Sequence, residues 1–135
     1  MTTKTVLIVE DSLPVREFIA DSVLGPAGFA TLVAADGAEG LQIAREARPD
    51  LIITDWQMPD LDGLAMVRQL QSEALCPPVI LISVEGSEAL TVEALEAGIA
   101  EFLVKPFEAE ELLAAVHRIL SADEDPAESA WPNEG

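Results

Sequence analysis

At 135 residues, half of them hydrophobic, the chain is long enough for one compact domain with its own core and short for two. Seven Lys and Arg against 25 Asp and Glu leave a net charge of -18, which repels nucleic-acid backbones and anionic membrane surfaces, so neither is an expected partner. No run approaches the ~20 apolar residues of a bilayer span, and the lone Cys76 has no second Cys or His at ligand spacing, so the composition predicts a cytoplasmic protein without a disulfide.

Short apolar runs, rich in branched residues, predict five strands at Val6 to Val9, Phe29 to Val33, Leu51 to Ile53, Val79 to Ile82 and Phe102 to Val104. Their continuous hydrophobicity suits strands covered on both faces. Between and after them, helical spacing recurs at Val15, Phe18, Ile19 and Val23; at Ala38, Leu41 and Ala44; at Leu64, Val67 and Leu70; at Leu90, Ala94 and Ala97; and at Leu112, Leu113, Val116 and Leu120. Strand–helix alternation five times over predicts right-handed crossovers and a doubly wound parallel α/β sandwich. Ser12 before Leu13-Pro14 predicts a capped helix start, Gly25-Pro26, Gly28 and Gly98 predict helix ends, and Pro49 and Pro77-Pro78 keep the helices before strands three and four from running on. After Leu120 the text turns acidic and proline-bearing, so residues 121–135 are expected to form a mobile tail unless Trp131 docks.

The polar residues that stand out follow strands: Glu10-Asp11 the first, Asp55 the third, Ser83 the fourth, Lys105 the fifth. Open α/β sheets bind ligands outside the carboxyl ends of their strands, where the strand order reverses. With the order 2-1-3-4-5, that crevice brings Glu10, Asp11 and Asp55 together. Three carboxylates about 5 Å apart repel by roughly 3 kcal/mol per pair at an effective dielectric of 20, which a proton or a cation must relieve. Hard oxygen ligands too few for a calcium cage suit Mg²⁺ or Mn²⁺. The plainer reading makes Asp11 or Ser12 a helix cap, Ser83 a cap for the segment near Ser87, and Lys105-Pro106 a surface turn. Taken together, Lys105 would reach across the sheet mouth toward the acids, and Ser83 would offer a hydroxyl to an incoming phosphoryl oxygen.

Val6-Leu7-Ile8-Val9-Glu10-Asp11-Ser12, Asp55-Trp56-Gln57-Met58-Pro59-Asp60-Leu61-Asp62-Gly63, Ile82-Ser83 and Phe102-Leu103-Val104-Lys105-Pro106-Phe107 resemble, in order and spacing, the response-regulator receiver family of two-component signalling. The resemblance runs from about Lys4 to Leu120 and implies a flavodoxin-like (βα)5 receiver domain. It implies that Asp55 takes a phosphoryl group from a histidine kinase or histidine phosphotransfer protein, with Mg²⁺ or Mn²⁺ held by Glu10, Asp11, Asp55 and the backbone carbonyl of Gln57. It further implies that Ser83 and Lys105 close on the phosphoryl oxygens while Phe102 turns inward, changing the face made by helix four, strand five and helix five. The expected protein is a stand-alone receiver, monomeric or dimerising on phosphorylation, whose output passes through protein contact.

Ser83 stands where threonine is more frequent, and Val84 where alanine or glycine is usual; the bulkier side chain predicts slow self-hydrolysis, and Val84→Ala is expected to shorten the lifetime of the phosphorylated form. Ile99 and Glu101 replace the usual alanine and aspartate. Alternatives are a phosphorelay intermediate, a receiver-like scaffold that takes no phosphate, and an aspartyl-nucleophile phosphatase. The last normally carries a second acid beside the nucleophile, where this chain has Trp56 and Gln57.

Overall fold

The structure, a computed structural model, describes residues 3–58 and 61–124. Five parallel strands, β1 (Thr5–Val9), β2 (Ala30–Ala34), β3 (Leu51–Asp55), β4 (Val79–Ser83) and β5 (Glu101–Val104), form one sheet in the order β2-β1-β3-β4-β5. The helices are α1 (Leu13–Glu17), α2 (Gly37–Ala47), α3 (Gly63–Ser72), α4 (Glu88–Glu96) and α5 (Ala109–Glu124). No described helix is long and apolar enough to cross a membrane.

The unbroken apolar runs are divided by the pleat. Val6, Ile8, Leu51, Ile53, Ile80, Ile82 and Leu103 point to one side, where Ile19, Val23 and Leu24 after α1 and Leu112, Val116 and Leu120 of α5 complete a core. Leu7, Val9, Ile52, Val79 and Leu81 point to the other, against Ala44 of α2, Met66, Val67 and Leu70 of α3 and Ala94 of α4. Both faces of the sheet are therefore sealed, and polar groups are left at the strand ends.

Several boundaries differ from those read along the chain. Phe29 lies outside β2: its amide closes a turn onto the Leu24 carbonyl at 3.2 Å, and the ladder starts when Ala30 donates to Lys4. Asp55 and Ser83 are the last residues of β3 and β4 rather than the first of the loops. The first helix is α-helical only to Glu17; Phe18–Leu24 wind as a π-helix, whose wider turn keeps Ile19, Ala20, Val23 and Leu24 all buried. Helix α5 runs to Glu124, past the change of composition at Leu120, and the tail residues 125–135, with Trp131, lie outside the described residues.

Caps fall where the short polar residues stand. Ser12 accepts from the Val15 amide, Asp36 from Glu39, Asp62 from Ala65 and Ser87 from Leu90, so Ser83 does not cap α4. Gly28 (φ +97°) and Gly98 (φ +90°) follow helix ends in left-handed backbone. Ile99 is buried beside Ala94, and Glu101 pairs with Arg118 of α5 at 3.2 Å. Cys76 is half-buried, its thiol bonded to the Pro77 carbonyl and its pKa raised by burial.

Candidate phosphoryl and metal site

Parallel pairing sets the site. Val9 pairs with Thr54 and Asp55 with Ile82, so the residues ending β1, β3 and β4 emerge side by side at the carboxyl edge of the sheet. Two further bonds fix the levels of the strand ends: the Trp56 amide donates to the Ile82 carbonyl at 2.7 Å, and the Lys105 amide to the Ser83 carbonyl at 2.8 Å. Gly63 lets α3 start directly against the end of β3, since a Cβ there would stand 2.2 Å from the Asp55 carbonyl oxygen.

Glu10, Asp11 and Asp55 present carboxylate oxygens that all lie within 4.8 Å of one another. Glu10 is 1% exposed and Asp55 6%, whereas Asp11 is open to solvent. The Lys105 ammonium lies between the two buried acids, 3.0 Å from Glu10 Oε1 and 3.3 Å from Asp55 Oδ2. Glu10 is tied further: its Oε2 accepts the Ser12 amide at 3.0 Å, and its carbonyl accepts from the Arg16 guanidinium at 2.8 Å. That arginine was not singled out by sequence; the turn of α1 brings it back over β1.

Burial pushes the Glu10 carboxyl above its ordinary value, against the opposing pull of the Ser12 amide and Lys105. Burial likewise raises Asp55, with Lys105 opposing and Asp11 adding to the rise. For Lys105, burial works to lower the pKa, but Glu10 and Asp55 outweigh it and the net shift is upward. The site thus holds more negative charge than its lysine balances. Glu10 Oε1 faces that lysine as its one cation among the described residues. Two buried carboxylates that share one ammonium, beside a third open to solvent, fit a hard divalent cation.

Around this centre, Ser83 is fully buried; its hydroxyl donates to the Gln57 side-chain oxygen at 3.0 Å and accepts the Glu85 amide at 3.0 Å. Phe102 is half-buried and packs edge-on to Trp56, ring centroids 6.0 Å apart at 80°. Val84 is 65% exposed and lines an open apolar groove of about 390 Å³ with Val15, Phe18, Lys105, Pro106 and Phe107. The resemblance implies the Gln57 carbonyl but not its side chain; no periodicity announces a contact between a loop and the end of a distant strand. Trp56 as the partner of Phe102 was missed for the same reason.

Residues 6–117 match the profile of the response regulator receiver domain. Among curated relatives, the chain is 34% identical over 122 residues to the phosphate regulon transcriptional regulatory protein PhoB of Pseudomonas aeruginosa, a match covering 89% of this chain and 53% of that protein. It is 39% identical over 124 residues to the response regulator MprA of a Mycobacterium species, covering 90% and 54%. The chain therefore spans about half the length of these relatives. Among solved structures, chemotaxis protein CheY4 of Vibrio cholerae superposes with a TM-score of 0.82 at 33% identity, covering 87% of this chain and 99% of that one. The receiver domain of the Francisella response regulator 1452 superposes with a TM-score of 0.85 at 31% identity, covering 90% and 99%.

Proposed function

This chain belongs to the response regulator receiver domain family of two-component signalling, and on that premise we propose that Asp55 is its phosphoacceptor, charged by a phosphohistidine on a histidine kinase or phosphotransfer protein. The observation that carries the reading is the Lys105 ammonium set 3.0 Å from Glu10 and 3.3 Å from Asp55. It is a cation placed where phosphoryl charge would arrive. An Asp55 carboxylate oxygen attacks phosphorus; the new P–O bond forms as the P–N bond breaks, and its electron pair stays on the donor imidazole. An ionised carboxylate needs no general base.

Glu10, Asp11, Asp55 and the backbone carbonyl of Gln57 would hold Mg²⁺ or Mn²⁺, which supplies charge neutralisation of the phosphoryl oxygens. Lys105 turns its ammonium from the carboxylates to a phosphoryl oxygen, and the Ser83 hydroxyl donates to another. Phe102 then turns inward, altering the face of α4, β5 and α5. Exposed Val92 and Leu95 on α4 and Val104 on β5 support a protein-contact output there, since apolar side chains bare to water suit a partner. The chain is a phosphoacceptor rather than an enzyme turning over external substrates.

Incubation with acetyl phosphate and Mg²⁺ followed by intact mass tests the reading. Wild type is expected to gain one phosphoryl and Asp55→Asn none. No gain in wild type, or equal gain in both, would sink it; turnover of general phosphoesters would favour a phosphatase.

A further inference from the structure

The Ser83 hydroxyl has a single proton to give. In this structure it goes to the Gln57 side-chain oxygen at 3.0 Å, while the Glu85 amide occupies a lone pair of the same hydroxyl at 3.0 Å. A phosphoryl oxygen on Asp55 is an acceptor, so Ser83 can serve it only by withdrawing that proton from Gln57. We infer that the Gln57 side chain is a latch: it holds the Ser83 hydroxyl in the unphosphorylated position and competes with the phosphoryl group for it. The inference rests on the proposed phosphoacceptor reading and adds to it a positioning residue that acts through Ser83.

Register explains how the latch is set. Asp55 pairs with Ile82, and the Trp56 amide donates to the Ile82 carbonyl, so Gln57 leaves β3 level with the end of β4, where Ser83 stands. Burial explains why it holds and why it can open. Ser83 is wholly buried, and its hydroxyl without an acceptor would be an unsatisfied buried group. Gln57 is exposed, and its freed oxygen is taken up by water at little cost. A charged phosphoryl oxygen is the stronger acceptor, so the exchange runs forward once Asp55 is modified and back when the group is lost. The latch therefore biases the resting state without locking it.

The test is a double-mutant cycle on the full chain, with wild type, Gln57→Met, Ser83→Ala and the double variant titrated with beryllium fluoride plus Mg²⁺ and followed by fluorine NMR. Met keeps much of the length of the side chain but lacks the amide oxygen. Gln57→Met is expected to tighten beryllium fluoride binding by about 3- to 10-fold, the range a single neutral hydrogen bond is worth, and to have no effect in the Ser83→Ala background. The Glu85 amide resonance of the ligand-free protein should also move in Gln57→Met, because the hydroxyl it donates to is released. Unchanged or weaker binding, or the same tightening in both backgrounds, overturns the latch while leaving the phosphoacceptor reading intact. Failure of wild type to bind beryllium fluoride and to take phosphoryl from acetyl phosphate removes both.

Discussion

Two carboxylate–cation pairs in this molecule behave in opposite ways. On the outer surface, Arg45 of α2 grips Glu73 after α3 with both Nε and Nη2, and Gln69 adds a bond at 2.7 Å. These contacts pull the Glu73 carboxyl down to about 2. At the sheet mouth, Glu10 and Asp55 share Lys105, yet both carboxyls are pushed up. Both regions hold a cation; what differs is water. The Arg45 and Glu73 side chains are 43% and 25% exposed, whereas those of Lys105 and Glu10 are 18% and 1% exposed. Burial at the mouth removes more solvation from the anions than one ammonium restores. A surface pair is at rest, but a buried acidic cluster retains a demand for positive charge, and that demand suits a metal-dependent phosphoacceptor.

The sharpest way to break this comparison is Lys105→Met. Removing the cation between two buried carboxylates should destabilise the metal-free chain by about 3 kcal/mol at neutral pH, with the loss shrinking as pH falls and the acids take up protons. Denaturant melts at pH 7 and pH 5 check it; a loss independent of pH would mean that the lysine acts by packing alone.

Asp55→Asn works in the other direction. It removes a buried charge whose ionised form the fold disfavours, so the metal-free variant should be more stable than wild type. Both Glu10 and Asp55 have folded pKa values raised above their unfolded ones. Between those values the folded state holds protons that the unfolded chain has released, so wild-type stability without metal should fall as pH rises from about 4. Stabilisation by Mg²⁺, which needs the ionised acids, should grow over the same interval and be largely absent in Asp55→Asn. Thermal melts with and without Mg²⁺ across pH decide; a metal-free Asp55→Asn less stable than wild type contradicts the account.

Arg45→Ala should do least. Its ion pair is exposed to water and screened by salt, so the expected shift in melting temperature is small and vanishes at high ionic strength. Because the Glu73 pKa is lowered, whatever it contributes is present above its ordinary value and lost as pH falls toward about 2. An effect of Arg45→Ala comparable to that of Lys105→Met would erase the distinction between the two regions.

Much of this molecule is written along the chain. Continuous runs such as Val6 to Val9 and Val79 to Ile82 mark strands because only elements covered on both faces can be apolar at every residue. Ser12 marks a helix start because a cap satisfies amides within three residues of itself. Acids, lysine and serine at strand ends, read with the strand order, bring Glu10, Asp11, Asp55, Ser83 and Lys105 to one edge.

The remainder depended on how separate segments meet. The π-helical turn of Phe18–Leu24 answers to packing against the sheet, and the seat of α4 is shallower than the spacing of Leu90, Ala94 and Ala97 suggests, with Ala94 its single fully buried residue. Arg16 over Glu10, Trp56 against Phe102 and Gln57 on Ser83 are contacts between side chains or loops that no local pattern encodes. The order of the elements and the chemistry at the strand ends are legible along the chain, because periodicity and capping act over a few residues. Which carboxylates share the lysine and which residue takes the serine proton came with the closed sheet, because register, burial and side-chain direction across strands exist only there.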